Sequence, residues 1–228
     1  MSARILQGKE FAQQFRADAG KRVEALREKY GITPGLAVII VGSNPASQVY
    51  VRNKHKSCEE LGIYSVVVEM PENTTKNDLL AKIDELNFDK RINGILVQLP
   101  LPKQIAADEA EILNRIDPLK DVDGFHPENV GSLVVGQPGF VSCTPAGIIQ
   151  LLKRSGVTID GKHCVIVGRS NIVGKPMALL MLQENATVTV THSHTQNLPE
   201  ICRQADILIV AIGKKQFITE EYIKPGAV

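Results

Sequence analysis

The feature that most constrains this chain is the alternation of short, unbroken β-branched runs with longer helix-like patterns. Three runs come early, at residues 36–41, 64–70 and 94–99, and three more at 164–168, 186–191 and 207–212. Apolar runs of this length read as strands buried on both faces, as parallel strands are when helices cover a sheet. Helical spacing over 8–30, 46–61, 75–87, 145–155, 172–184 and 197–205 supplies those covers, so the chain reads as α/β, built from βαβ units. Between the two sets of strands, Asp117-Pro-Leu-Lys-Asp-Val-Asp-Gly-Phe-His-Pro127 is rich in turn formers, and the stretch 130–140 is rich in glycine. The expected division is 1–121 and 122–228.

Composition removes several alternatives. With 228 residues, 43% of them hydrophobic, and a formal net charge of +1, the chain can bury a core and has none of the charge excess of a disordered tail. The balanced charge gives no polyanion-binding surface, so no nucleic-acid partner is expected. No apolar stretch approaches the ~20 residues of a membrane span, and the N-terminus lacks a signal-like apolar region; the expected setting is cytoplasmic. The four cysteines, Cys58, Cys143, Cys164 and Cys202, are scattered without a C-x-x-C pair. That spacing favours reduced structural thiols over a metal site or a disulfide framework.

In the second half, Val165-Ile-Val-Gly-Arg-Ser-Asn-Ile-Val-Gly-Lys-Pro176 runs from a buried strand through a glycine turn into a helix. A helix start offers unpaired N–H groups and a partial positive charge, and small residues let the backbone approach a pyrophosphate. Gly168, Arg169, Ser170, Val173 and Gly174 are therefore the cofactor-binding candidates, although their spacing departs from G-x-G-x-x-G. The next strand ends in Thr191-His-Ser-His-Thr195, with no carboxylate to grip a ribose 2′-hydroxyl. Arg169 and Ser193 can instead pair with a 2′-phosphate, which selects NADP over NAD. The competing reading makes Arg169 a cover for the turn, and His192 and His194 loop residues; no metal site is expected there, for want of further ligands.

In the first half, Ser43, Asn44 and Pro45 start a helix that places Tyr50 and Lys54 at i and i+4. Their Cβ atoms are then about 6 Å apart, close enough for a phenol and an amine to meet one ligand. Such pairs are also common on exposed helices. Gln98 ends an apolar strand, its amide needs a partner, and the C-terminal ends of strands are where α/β sheets bind ligands. Pro100 and Pro102 follow it, and the Leu99–Pro100 bond is a candidate cis peptide. Asp121 and Asp123 either hold a ring bearing N–H donors or stabilise a turn. These residues alone leave room for another two-domain NADP oxidoreductase, or for a nucleotide-sensing module that needs neither Lys54 nor a substrate cleft.

Taken in order, Val41-Gly-Ser-Asn-Pro-Ala-Ser-Gln-Val-Tyr-Val51 with Lys54, Gly94-Ile-Leu-Val-Gln-Leu-Pro-Leu-Pro102, Lys120-Asp-Val-Asp-Gly-Phe125, Cys143-Thr-Pro145 and Gly168-Arg-Ser-Asn-Ile-Val-Gly-Lys-Pro176 form a dense series. The series resembles the bifunctional methylenetetrahydrofolate dehydrogenase/methenyltetrahydrofolate cyclohydrolase family, over essentially the whole chain. The resemblance implies two domains: an N-terminal three-layer α/β folate domain and a C-terminal Rossmann-like NADP domain. It implies Lys54 as cyclohydrolase general acid/base, Tyr50 stacking on or orienting the folate, Gln98 hydrogen-bonded to Lys54, and Asp123 holding the pterin. Arg169 and Ser193 match the family's 2′-phosphate contacts, and a homodimer through the nucleotide domain is expected. The second domain reads as incomplete at its C-terminal end, since the sequence stops at Pro225-Gly-Ala-Val228, where a further strand should begin.

Overall fold

A computed structural model describes residues 4–228. They form two compact units, one spanning Gln7–Asn129 and the other Val130–Val228 together with the N-terminal residues 4–6.

The first unit holds α1 (Gly8–Tyr30), β1 (Gly35–Val41), α2 (Pro45–Glu60), β2 (Tyr64–Met70), α3 (Lys76–Phe88), β3 (Gly94–Val97) and α4 (Glu109–Leu113). Its three strands are parallel, in the order β2-β1-β3. The two-residue side-chain period of β1 sorts its residues between two packed layers. Ala37, Ile39 and Val41 meet Leu79, Ile83 and Leu86 of α3 and Ile112 of α4, whereas Val38 and Ile40 meet Val51 of α2. The result is the three-layer arrangement expected. Strand β3 stops at Val97, two residues before the expected end, because Pro100 and Pro102 carry no N–H to extend a ladder. The Gln98 N–H still donates to Ile39 O at 2.8 Å, and the Leu99–Pro100 bond is cis.

The helix α5 (Pro127–Val135) spans the division between the units. It replaces the irregular stretch expected from the glycines: Gly131 has open space around it, and Gly136, at φ +71°, follows the helix end. The compact units part between Asn129 and Val130 rather than at 121/122. Residues 122–129 are held to the first unit through Asp121, which bridges to Ile95 and accepts from Gly124 N, His126 N and Asn129 Nδ2, and through the bond of Asn129 to Pro118 O.

The second unit contains α6 (Cys143–Arg154), β4 (His163–Val167), α7 (Gly174–Gln183), β5 (Thr187–Thr191), α8 (Leu198–Cys202) and β6 (Ile207–Val210). Its sheet is again parallel, in the order β5-β4-β6. Ile149 and Leu152 of α6 and Met177 and Met181 of α7 cover Cys164 and Ile166, while Cys202 and Ala205 cover Val165 and Val167 on the other face. Helix α8 is shorter than the spacing suggested: Asn197 before it is left-handed, at φ 53°. Beyond β6, Val228 N donates to Asp206 O and Val228 O accepts from Leu208 N, so Val228 pairs with β6 as the first residue of a parallel strand would. Among the described residues no helix is long and apolar enough to cross a membrane.

Candidate functional site

The first unit gathers polar groups where β1 and β3 end. These neighbouring parallel strands form the kind of crevice in which open α/β sheets bind ligands. After β1 the chain turns at Gly42, with φ +81°. Asn44 then caps α2, its Oδ1 accepting from Ala46 N at 3.0 Å and Ser47 N at 3.1 Å, with Pro45 in the first turn. The cap sets the helix phase, which turns Lys54 toward the end of β3. There Lys54 Nζ donates to Gln98 Oε1 at 2.9 Å. Gln98 Nε2 donates to Leu99 O at 2.9 Å, and the buried Ser47 hydroxyl donates to the same carbonyl at 3.4 Å. With its amide N–H on a carbonyl, Gln98 has its oxygen left for the lysine. Tyr50, one turn before Lys54, is 63% exposed and presents an open ring face.

Asp123 reaches the same place by a different route. Ile95 N donates to Lys120 O at 2.7 Å, and the parallel bridge of Ile95 with Asp121 aims the chain along β3. A turn closed by Gly124 N donating to Asp121 O at 3.1 Å then presents Asp123, which is half-buried. Burial pushes the Asp123 carboxyl above the usual carboxylate range, the positive charge of Lys54 pulls it down, and the charge of Asp121 adds an upward push. The two aspartates, paired as substrate ligands in the sequence reading, therefore part ways. Asp121 is 2% exposed, and its Oδ2 accepts from His126 N at 2.8 Å and from Asn129 Nδ2 at 3.0 Å. It fastens the turn, which leaves Asp123 as the carboxylate that feels the Lys54 charge.

In the second unit the turn after β4 is packed too tightly for side chains. A Cβ on Gly168, which has φ +124°, would lie 2.5 Å from Ala211 O at the end of β6, and one on Gly174 would lie 2.2 Å from Gly168 O. The two glycines thus serve the turn and the approach of α7 to the strand, two of the three glycine roles in a dinucleotide site. Ser170 Oγ accepts from Val173 N at 3.2 Å and Gly174 N at 3.3 Å, which ties the turn to the start of α7. Arg169 leaves the end of β4 and Ser193 follows the end of β5, and both are exposed. These strands are adjacent, and the His192 imidazole next to Ser193 is held below its usual range by burial, by the charge of Arg169 and by His194. Arg169 is thus close enough to the loop that carries Ser193 for its charge to be felt at His192.

Family models match both units: "Tetrahydrofolate dehydrogenase/cyclohydrolase, catalytic domain" over residues 6–123 and "Tetrahydrofolate dehydrogenase/cyclohydrolase, NAD(P)-binding domain" over residues 142–228. The chain belongs to this family. Among its relatives, the bifunctional protein FolD of Agathobacter rectalis is 59% identical over 226 residues, covering 99% of this chain and 80% of that protein. The crystal structure of the bifunctional FolD enzyme from Campylobacter jejuni has a TM-score of 0.95 at 46% identity, covering all of this chain and 80% of the other. The Trypanosoma brucei methylenetetrahydrofolate dehydrogenase-cyclohydrolase, solved with NADP cofactor and an inhibitor, has a TM-score of 0.94 at 38% identity, covering 100% of this chain and 78% of that one.

The family's catalytic-domain match thus covers the Lys54, Gln98 and Asp123 cluster, and its nucleotide-domain match covers Gly168, Arg169 and Ser193. Two contributors had no role of their own in the sequence reading. Lys120 donates three hydrogen bonds, to Leu86 O, Asn87 O and Asp89 O, at the end of α3. Asn129 falls outside the helices expected from the sequence, and only the fold reveals that it is buried against Asp121.

Proposed function

We propose that this protein oxidises 5,10-methylenetetrahydrofolate to 5,10-methenyltetrahydrofolate with NADP and hydrolyses the product to 10-formyltetrahydrofolate, as a bifunctional dehydrogenase and cyclohydrolase of one-carbon metabolism. Family membership supports the reaction pair. The observation that carries its assignment to residues is the 2.9 Å bond from Lys54 to Gln98, with Asp123 near enough to feel the lysine charge.

The second unit suits NADP: a glycine turn at Gly168 and Gly174, a helix start tied to it through Ser170, and Arg169 close to the Ser193 loop for a 2′-phosphate. When bound, the nicotinamide supplies the hydride acceptor. The carbon that gives up hydride lies between two nitrogens whose lone pairs stabilise the resulting cation, so this step asks the protein for position rather than for a base. Tyr50 offers a ring face for the folate, and Asp123 offers a carboxylate to the N–H donors of its pterin.

Hydrolysis makes a different demand. Water adding to the methenyl carbon must lose a proton, and the ring nitrogen that departs must gain one. Lys54 Nζ takes the first proton and returns one to the nitrogen, while Gln98 Oε1 holds the amine in place between the two transfers. The same reading makes the protein a cytoplasmic homodimer, and sedimentation of a monomer at micromolar concentration would count against the second part.

Lys54→Met separates the two reactions. A positioned acid/base contributes roughly 10²- to 10⁴-fold, so cyclohydrolase activity is expected to fall by about that factor while dehydrogenase activity falls less. A parallel collapse of both would mean that Lys54 organises the folate site, and unchanged hydrolysis would remove it from the mechanism.

A further inference from the structure

Asp123 stands on a turn that offers no regular secondary structure to hold it, and the structure surrounds that turn with fasteners. Asp121 closes it twice, through its backbone oxygen to Gly124 N and through Oδ2 to His126 N. Asn129, 6% exposed in the first turns of α5, donates through Nδ2 to Pro118 O at 2.9 Å and to Asp121 Oδ2 at 3.0 Å. One amide group therefore joins the chain before the turn, the turn itself and the helix after it. On the other side, Gly94 makes room for the strap: a Cβ there would lie 2.5 Å from Val122 Cγ1.

We propose that Asn129 is a positioning residue for folate, acting through Asp121 to fix the direction of the Asp123 carboxylate; this rests on the reading of Asp123 as the pterin ligand. The bonds to Pro118 O and Asp121 Oδ2 both go to the chain that carries Asp123, so the effect of Asn129 is expected on folate affinity. A buried amide that donates to a carboxylate has no apolar substitute, because its loss leaves the Asp121 oxygen short of a donor inside the protein.

The test compares Asn129→Asp with Asn129→Leu in the whole chain, measuring KM for 5,10-methylenetetrahydrofolate and for NADP between pH 6 and pH 8, with binding of tetrahydrofolate followed by calorimetry. The titratable groups at the turn are Asp121, Asp123 and His126, with Lys54 reaching Asp123. At pH 8 Asn129→Asp sets two carboxylates against each other, and folate KM and the tetrahydrofolate Kd are expected to rise about tenfold, with NADP KM within twofold of wild type. Toward pH 6 a proton shared by the pair restores the donor, so the Asp variant regains folate affinity relative to wild type while the Leu variant does not. General loosening of the fold would move NADP KM as well and would give the Leu and Asp variants the same pH profile; that result overturns the proposal, as does an unchanged folate KM at pH 8. If Asn129→Leu does not fold, the pH-dependent recovery of Asn129→Asp against wild type decides alone. A wild-type chain that binds NADP but not tetrahydrofolate removes the reading of the site, and with it this proposal; normal wild-type turnover with an unaffected variant removes the proposal only.

Discussion

Under the proposed function, Arg169 carries the choice between cofactors. Its charge is felt at His192, beside Ser193, and a 2′-phosphate bound there would gain charge-assisted hydrogen bonds that a bare ribose hydroxyl cannot return. Arg169→Ala is therefore expected to raise the NADP KM by about tenfold or more and to leave the NAD KM within about twofold; equal losses for both would exclude the arginine from the 2′ site. The thiols provide a second test at this scale. Burial pushes the Cys164 thiol up to about 12 and raises Cys58 and Cys202, whereas Cys143 is exposed. Only the thiolate reacts, so alkylation of the native protein at pH 8 should label Cys143 first, as peptide mapping after a short exposure will show. Rapid labelling of Cys164 would contradict its place in the core.

At the scale of elements, strand β4 and helix α7 depend on one contact without room for a methyl group. Gly174→Ala presses a Cβ onto the Gly168 carbonyl, a backbone obstacle that cannot rotate away, so a loss of about 1–3 kcal/mol in chemical denaturation is expected, with weakened NADP binding. Strand β6 is pinned by charge: Lys224 and the His163 N–H hold the Asp206 carboxyl below its ordinary 3.8. A lowered native pKa stabilises the ionised form, so this contribution is present above pH 3.8 and fades as pH falls toward the native value. The stability gap between wild type and Asp206→Asn should thus be open at pH 7 and narrower at pH 3. Among the described residues all six strands were legible in the sequence, because short runs rich in β-branched residues leave little else for stretches such as 36–41 to do. Helix α5 was not: its glycines mimic a loop, and its start is held by the bond of Asn129 to the buried Asp121 carboxylate. The site was legible in the same uneven way. Lys54 and Gln98 announce themselves by helix phase and by a polar group ending a buried strand. Asp121 and Asp123 look alike in an Asp-Val-Asp string; the family resemblance points to Asp123, and the structure adds that Asp121 is taken up by the turn while Asp123 feels the lysine charge.

For the whole molecule, the chain enters and leaves its units in an uneven order. Residues 4–6 belong with the second unit, the next 123 residues form the first, and the rest complete the second. Arg4 donates to Ser155 O at 2.8 Å, at the C-terminal end of α6, across a sequence separation of 151. Arg4→Ala should lower the stability of the second unit without moving the folate KM, a split that domain-resolved hydrogen exchange and kinetics can read together. The same contact sets an order of events during synthesis. Arg4 is synthesised long before its partner, since the strands and helices of residues 7–129 can be complete before Ser155 has been translated. It must then wait while an entire sheet assembles behind it.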